Sequence, residues 1–372
     1  MKKNIFLVSM LLAASTLLCA CGADKETEKG KDQAEETLAE QEADKDDEDA
    51  PAKRNSISAG IDETTTSKYG ECGPDLMWYL QEMDGILVIR GTGNMSFSTY
   101  ETPWYQYEDD IHQLVIEEGC TTIAEEAFKN CHLESAVIPD TVTEIGDEAF
   151  EFCNLKSISI PDGVTKIGKS AFLSNELEEI TIPKGITEIA DSMFRENFAL
   201  RSVTIPETIT SIGDDAFYWC EELTSVMIPE SVTYIGDGAF VRCSGLESVT
   251  IPESVTYIGG AFAGCDSLQS ITIPGSVASI EDGGFCECKS LKTVILQEGV
   301  TAIGPSSFFG CENLEEITIP KSVTHIGMNA FEECNNLKQV IIENGEIEFE
   351  GAKSDIFPDT VKVIVAGEER EW

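Results

Sequence analysis

The chain has few positive charges. Its 25 lysines and arginines stand against 68 aspartates and glutamates, and the formal net charge is -43. Proteins that bind nucleic acid need basic side chains to neutralise phosphate, so this imbalance argues against a nucleic-acid partner. It also disfavours adsorption of the folded part to anionic lipid. A protein partner of cationic or mixed charge remains compatible with such a surface.

Side chains typical of catalysis and metal binding are also scarce. Only three histidines occur, His112, His132 and His325, and they are isolated from one another. The chain contains no G-x-S-x-G, no H-E-x-x-H and no phosphate-binding loop. Carboxylates are abundant, but they do not single out a glycosidase pair. We therefore expect a protein that is not an enzyme and that uses no cofactor and no metal.

The only long apolar run lies at the N-terminus. Lys2 and Lys3 precede a 14-residue apolar stretch, residues 5–18, which is short for a membrane span and typical of an export signal. The following sequence LCACG, residues 18–22, resembles a bacterial lipobox. It predicts a lipoprotein signal peptide over residues 1–20 and lipidation of Cys21. An ordinary secretory signal, cleaved without lipidation, is the alternative.

Aromatic residues are absent from residues 21–66. Between Asp24 and Asp49 there are thirteen acidic residues and four lysines, a net charge of -9. Such a segment cannot bury enough apolar surface to offset the entropy lost on ordering. We predict a disordered acidic tether over residues 21–66 that holds the folded part away from the membrane.

Most of the remaining chain is one repeat of 22 or 23 residues, which spans residues 111–342 and reads IPxxVTxIGxxAFxxCxxLxxVxIP. A period in this range is the signature of a solenoid, in which each unit buries its apolar face against its neighbours. The first apolar position recurs at Ile116, Ile138, Ile160, Ile182, Ile205, Ile228, Ile251, Ile273, Leu296, Ile319 and Ile342.

The consensus sequence of the repeat predicts its local structure. V-x-I alternates, so valine and isoleucine should point inward from parallel strands stacked about 4.8 Å apart. Proline should end each strand at a corner. Val-Thr-x-Ile should form a second short extended segment. One phenylalanine per repeat should build a stacked spine: Phe128, Phe150, Phe172, Phe194, Phe217, Phe240, Phe262, Phe285, Phe308 and Phe331.

The next corner of the repeat carries glycine and aspartate. We predict a positive φ at the glycines, which have no Cβ to oppose it. We predict that the aspartates cap a short helical turn. The glycines are Gly146, Gly168, Gly213, Gly236, Gly259, Gly304 and Gly327, and the aspartates are Asp147, Asp191, Asp214 and Asp237.

Eight cysteines share one position of the repeat, where two copies carry Asn175 and Asn197 instead. Asparagine cannot form a disulfide and is a poor zinc ligand. The exchange therefore predicts small buried polar side chains that bond to loop backbone, with the thiols free. The eight are Cys131, Cys153, Cys220, Cys243, Cys265, Cys288, Cys311 and Cys334; Cys72, Cys120 and Cys286 receive no assignment.

Segments at both ends of the array are predicted to cover its exposed apolar ends. In residues 67–110, two apolar runs, 76–80 and 86–90, are joined by Asp84-Gly85 and predict a β-hairpin within an N-terminal cap module. An aromatic platform for carbohydrate is the alternative there. Residues 343–372 leave the pattern, and their final run 361–365 predicts a strand of a C-terminal cap.

Outward positions of the repeats are the candidates for ligand contact. The strand row includes Thr204, Met227, Thr250 and Thr272, and a second row contains one threonine in most repeats. Strand propensity and side-chain bonding between repeats account for threonine rows without a ligand. Beside the second row, Tyr234 and Tyr257 recur on adjacent repeats, with His325 further along. Exposed tyrosines are enriched at interfaces, although surface packing alone is the alternative.

The repeat unit closely resembles the BspA-like leucine-rich repeats of bacterial surface proteins, over residues 111–365. Residues 70–105, with the sequence GECG, Trp78 and PWY, resemble the module that often precedes them. The resemblance implies a β-rich, right-handed leucine-rich-repeat solenoid with stacked parallel strands, short helical turns and terminal caps. It implies no catalytic residues.

The resemblance also implies a surface protein, since some family members are implicated in adhesion to host proteins such as fibronectin and fibrinogen. We predict a monomeric, adhesin-like protein on the extracellular face of the bacterial envelope. Its partner would be a host-matrix or neighbouring-cell protein, and it would contact the membrane only through the lipid on Cys21. The alternatives are a structural envelope protein without a dedicated ligand and, more remotely, a hydrolase or an ice-binding protein.

Overall fold

The computed structural model describes residues 68–97 and 102–370. Contacts divide the chain into Met1–Gly60 and Ile61–Trp372, and all described residues lie in the second unit. Cys21 and the whole of the predicted tether, residues 21–66, therefore lie outside the described residues. The described part consists of short β-strands joined by turns, with 3-10 helices at Tyr105–Asp110 and Lys353–Asp355 and no α-helix.

The N-terminal module is a small antiparallel sheet of β1 (Lys68–Gly73), β2 (Leu76–Gln81) and β3 (Ile86–Gly91). The predicted hairpin is confirmed, and Gly85 at its turn has a φ of 64°. Strand β3 then pairs in parallel with the strand Gln113–Ile116. The module is thus joined to the first repeat by main-chain hydrogen bonds.

One row of parallel strands carries the V-x-I part of the repeats. Its members are β5 (Gln113–Ile116), β7 (Ser135–Val137), β10 (Glu179–Thr181), β12 (Ser202–Thr204), β14 (Ser225–Met227), β16 (Ser248–Thr250), β18 (Ser270–Ile273), β20 (Thr293–Leu296), β22 (Glu316–Ile319), β24 (Gln339–Ile342) and β26 (Lys362–Val365). Paired strands stay in register, so Val226 lies opposite Val249. Both valines are buried, whereas their neighbours in the strands are exposed, as the alternation predicts.

A second row of mostly two-residue strands carries the Val-Thr-x-Ile part. Its members are β4 (Gly93–Asn94), β6 (Cys120–Ile123), β8 (Glu144–Ile145), β9 (Lys166–Ile167), β11 (Glu188–Ile189), β13 (Ser211–Ile212), β15 (Tyr234–Ile235), β17 (Tyr257–Ile258), β19 (Ser279–Ile280), β21 (Ala302–Ile303), β23 (His325–Ile326) and β25 (Glu348–Phe349). In the repeats the isoleucine is buried and the residue before it faces outward, as in Tyr234-Ile235.

The third side of each repeat, which we call the turn side, is a series of tight turns. Two positions adopt left-handed backbone conformations in nine repeats, and the repeat with Phe262 has only the second of them. The first position is Glu126, Glu148, Ser170, Ser192, Asp215, Gly238, Gly283, Ser306 and Asn329; the second is Asn130, Phe152, Ser174, Glu196, Trp219, Arg242, Gly264, Glu287, Gly310 and Glu333. Backbone bonds link these turns from repeat to repeat, as when Phe217 N–H donates to the carbonyl of Ala239 over 2.8 Å.

The corner glycines do not have the positive φ that the sequence predicted. A Cβ added to Gly236 would lie 2.7 Å from Asp214 N and 2.7 Å from Gly213 C. A Cβ on Gly146 would lie 2.5 Å from Glu125 N. The predicted positive φ was therefore wrong. Glycine is needed at these positions because the backbone of the preceding repeat lies too close to leave room for a Cβ. The left-handed residues come two positions later.

The corner aspartates also act differently from the prediction. Asp191 Oδ1 accepts a hydrogen bond from Asp214 N at 3.1 Å, and Asp214 Oδ1 accepts one from Asp237 N at 2.9 Å. Likewise, Asp147 accepts from Lys169 N at 2.9 Å. The carboxylates therefore satisfy backbone N–H groups of the following repeat instead of capping a helical turn in their own.

The predicted phenylalanine spine is confirmed. Successive rings lie 5.3–5.7 Å apart from Phe128 to Phe331, and all are buried. The spine also extends into both ends. Trp104 stacks on Phe128 at 5.4 Å, and Phe357 stacks on Phe331 at 5.5 Å. One continuous aromatic column therefore joins the N-terminal module, the repeats and the C-terminal segment.

The cysteine position also behaves as predicted. Seven of its thiols donate to the carbonyl of the phenylalanine one repeat earlier, at 2.9–3.3 Å. Asn175 and Asn197 donate to the equivalent carbonyls of Phe150 and Phe172 at 2.8 and 2.9 Å. Burial raises the pKa of Cys243 to about 12, so its thiol is protonated and weakly reactive at neutral pH.

The C-terminal segment adds a further turn and then closes the strand row. Strand β26 pairs in parallel with β24, as expected for a final strand over the last repeat. A short strand, β27 (Glu368–Glu369), pairs with β26 in the antiparallel direction. An exposed sheet edge is a template for unwanted pairing, so β27 protects the end of this row.

Candidate binding surface

The two candidate tyrosines lie side by side. Tyr234 of β15 is in register with Tyr257 of β17. Their rings are 5.0 Å apart with an interplanar angle of 7°, and Tyr234 is 38% exposed. The buried isoleucines that follow them, Ile235 and Ile258, fix both rings on the outer side of the second strand row.

Carboxylates border this tyrosine pair. The Tyr257 hydroxyl donates to Asp237 Oδ1 at 3.1 Å. Burial, followed by the hydrogen bond and charge of Asp237, raises the pKa of Tyr257 well above its ordinary value. Burial and the charges of Asp214 and Asp237 raise the pKa of Tyr234 as well. Both hydroxyls are therefore neutral at physiological pH, and the surface presents two rings next to negative charge.

His325 lies on the same strand row but not beside the tyrosines. From β17 the row continues through Ser279 and Ala302 before it reaches His325 of β23. His325 Nε2 lies 4.0 Å from a carboxylate oxygen of Glu350, at the C-terminal end of the array. The structure thus brings the two tyrosines together and leaves the histidine apart.

The remaining candidates occupy the other strand row. Met227 lies opposite Thr250, and Thr204 and Thr272 hold the same outward position in β12 and β18. Met227 is 84% exposed. These strands belong to different sheets from β15 and β17. The six predicted ligand residues are therefore two groups, separated by the proline corner of each repeat.

The second-row threonines have a structural explanation. Thr233 Oγ1 donates to the carbonyl of Thr210 at 3.3 Å, and Thr256 Oγ1 donates to that of Thr233 at 3.2 Å. The same bond recurs for Thr143, Thr165, Thr210, Thr301 and Thr324. Each hydroxyl bonds to backbone one repeat earlier, rather than to another side chain. This row needs no ligand to account for it.

An open groove of about 870 Å³ runs over strands β20, β22 and β24, and Glu315, Glu316 and Lys338 are among its lining residues. A hydrogen bond from Lys338 lowers the pKa of Glu315. A general acid needs the opposite shift. A smaller groove of about 560 Å³ contains Arg201, whose guanidinium lies 3.6 Å from Glu178. Neither groove presents a convergent acid and base.

Residues 68–97 and 102–370 contain no group of three or more His, Cys, Asp or Glu side chains placed to hold a metal ion. The same residues include no helix with the length and apolar character needed to cross a bilayer.

The structure reveals a cluster that sequence reasoning missed. Trp219, on the turn side, contacts Phe198 at 6.1 Å and Tyr218 at 5.6 Å between ring centroids. The guanidinium of Arg242 lies over the Trp219 ring at 5.7 Å. We call these four residues the aromatic turn patch. The available signal was Trp219 itself, which replaces the Gly, Ser, Asn or Glu of most other repeats.

Comparison with known proteins places these features in context. The family model described as the BspA type leucine rich repeat region matches residues 101–223, 210–338 and 259–362, with six copies. No curated protein matches the chain.

Two solved structures are similar in part. A leucine-rich repeat protein from Eubacterium ventriosum is 25% identical, with 80% of this chain and 84% of that chain covered and a TM-score of 0.49. A leucine rich cell surface protein from Faecalibacterium prausnitzii is 26% identical, with coverages of 78% and 97% and a TM-score of 0.48. The family matches extend from residue 101 to residue 362, which is more than half of the chain. The protein therefore belongs to the BspA-type leucine-rich repeat family.

Proposed function

We propose that this protein is a lipid-anchored, adhesin-like surface protein whose solenoid binds a protein partner around Tyr234 and Tyr257. The stacked tyrosine pair carries the proposal. Its position in the repeat is filled by Ser211 and Ser279 on either side, so the fold does not require an aromatic residue there. Large exposed aromatic rings with polar tips are typical of interface hot spots.

The charge of the surface indicates the chemistry of the partner. Asp214 and Asp237 lie against the tyrosines, and the chain as a whole carries a net charge of -43. A partner segment with lysine or arginine would gain both charge pairing and contact with the ring faces. Met227 and the exposed threonines of the neighbouring strand row would extend the contact.

Removing the tyrosines tests this proposal. We expect the double variant Tyr234→Ala/Tyr257→Ala to bind fibronectin or fibrinogen at least about tenfold more weakly than the parent, because hot-spot aromatics carry a large share of binding energy. Binding of residues 67–372 to each immobilised protein is measured by biolayer interferometry. Raising the salt concentration should weaken the parent complex, because salt screens exposed charges.

The matched control is Ser211→Ala/Ser279→Ala, which alters the same row on either side of the pair and should leave affinity unchanged. Introduction of a negative charge on the other row, by Met227→Glu, tests whether the contact extends there. If binding survives both the tyrosine variant and Met227→Glu, the surface assignment is wrong. If neither the matrix proteins nor surface extracts of neighbouring cells bind saturably, the chain is an envelope spacer.

Lipid attachment is tested separately on the full chain. In a bacterial host that supports lipoprotein processing, we expect radioactive palmitate to label the protein and Cys21→Ser to abolish the label. The reason is that the lipobox-like sequence places a thiol directly after the cleavage site. Gel autoradiography of immunoprecipitated protein gives the readout, and Cys19→Ser is the matched control. Loss of residues 1–20 without any label would contradict the anchor.

A further inference from the structure

Trp219 occupies the second left-handed position of its turn, a backbone conformation that all ten repeats share. Its φ is 63°, in the left-handed region that bulky residues avoid. Two other repeats carry glycine at this position, Gly264 and Gly310, so the turn does not need a bulky side chain there. Strained residues concentrate at functional sites, where an advantage other than stability retains them.

The rings around Trp219 do not form a flat platform. Tyr218 meets Trp219 at an interplanar angle of 77°, and Phe198 meets it at 59°. Phe198 is 45% exposed. A pyranose ring stacks on an open aromatic face, whereas here Arg242 lies over the Trp219 ring. The geometry therefore suits packing of an apolar side chain better than stacking of a sugar ring.

The charge of the patch differs from that of the surrounding surface. Nearby, Arg195 lies 2.8 Å from Asp215 and 3.2 Å from Glu196, so its charge is already paired. Arg242 is exposed, and it forms no ion pair with any residue among 68–97 and 102–370. An arginine held over an aromatic ring without a carboxylate partner is well placed to accept one from outside.

We propose that the aromatic turn patch is a second protein-binding surface, which takes a partner segment with an apolar side chain adjacent to Asp or Glu. The apolar side chain would pack against Phe198 and Trp219, and the carboxylate would pair with Arg242. Trp and Arg are the residue types most enriched in hot spots. A second copy of this chain is a poor occupant, because two molecules with a net charge of -43 repel each other. This surface does not depend on the tyrosine pair.

A library of random peptides tests the proposal on the full chain. Random 12-residue peptides displayed on phage are selected against the parent protein, and synthetic versions are titrated by fluorescence anisotropy. We expect enriched peptides to carry an aromatic or aliphatic residue next to Asp or Glu. Trp219→Gly should weaken their binding by about 30-fold or more, as for a hot-spot tryptophan. Its thermal midpoint should not fall, because glycine removes the left-handed strain.

Two variants separate binding from folding. Phe152→Gly removes the other aromatic residue at this left-handed position, which is 44% exposed, and should leave binding unchanged. The Arg242→Glu variant should no longer bind the acidic peptides and should bind peptides with lysine instead. This change of preference is not expected if Arg242 has only a structural role. Tyr234→Ala/Tyr257→Ala should leave peptide affinity unchanged, so failure here is distinct from failure of the proposed function.

Several results would overturn the proposal. These are no enrichment, enriched peptides without acidic residues, or peptide affinity that Trp219→Gly leaves intact. Binding that depends on Trp219 but is found only with oligosaccharides on a glycan array would assign the patch to carbohydrate instead.

Discussion

Replacing Phe217 by alanine is expected to lower the free energy of unfolding by about 3–5 kcal/mol, as for other fully buried phenylalanines. Phe217 has no exposed surface and stacks on Phe194 at 5.5 Å and on Phe240 at 5.3 Å. Main-chain bonds on all three sides hold the neighbouring repeats in register. The cavity can therefore collapse only partly, and both ring contacts are lost together.

Urea denaturation followed by circular dichroism measures this effect. Because repeat arrays can unfold in parts, the denaturation midpoint and slope should be compared for both proteins. The matched control is Phe152→Ala, since Phe152 is 44% exposed and lies on the turn side. Its effect should stay within about 0.5 kcal/mol, as at most surface positions. Equal losses in the two variants would show that the aromatic spine does not carry the stability assigned to it.

Gly236→Ala is expected to have the second-largest effect, about 1–3 kcal/mol of destabilisation, the usual result of forcing extra atoms into a packed site. The added Cβ would lie 2.7 Å from two backbone atoms of the preceding repeat, Asp214 N and Gly213 C. Backbone cannot rotate away as a flexible side chain can. The repeats must therefore separate locally, which strains the bonds between their corners.

The comparison for this variant is Gly163→Ala, where the nearest atom to a new Cβ is Asp140 O at 3.3 Å. At Gly163, alanine lowers the conformational entropy of the unfolded chain, and this stabilisation should offset the close contact. The change in the free energy of unfolding should therefore lie within about 1 kcal/mol. Both variants are measured by thermal and urea unfolding. If Gly236→Ala is as stable as Gly163→Ala, close approach is not the reason for the corner glycines.

The repeat period made much of the fold predictable. Residues spaced 22 or 23 apart must occupy equivalent places, so the strand register, the Phe spine and the Cys-Asn exchange followed from alignment alone. The reason for the corner glycines did not follow, because sequence shows where glycine is needed but not whether a positive φ or a close neighbour requires it. Trp104 and Phe357 were missed as spine members because they lie outside the regular period.

The candidate surfaces were predictable only in part. Tyr234 and Tyr257 stand 23 residues apart, which places them in contact in any stacked array. The two tyrosines lie in a different sheet from Met227 and Thr250 because of the proline corners between the two strand rows. The sequence does not specify the geometry of those corners. The aromatic turn patch combines residues from three repeats: Trp219 and Arg242 share one position of the repeat, whereas Phe198 holds a different one. No single column of the alignment contains it, and only the folded chain assembles Phe198, Trp219 and Arg242.

The direction of the hydrogen bonds between repeats has a mechanical consequence. Strand pairs, threonine hydroxyls, cysteine thiols and turn amides all bond from one repeat to the next, along the axis of the array. Tension applied between the two ends of the solenoid would load these bonds repeat after repeat, so they would open by peeling rather than by shearing many at once. Each released repeat of 22 or 23 residues would add about 75–80 Å of extended chain. Under tension, such a molecule would lengthen in steps.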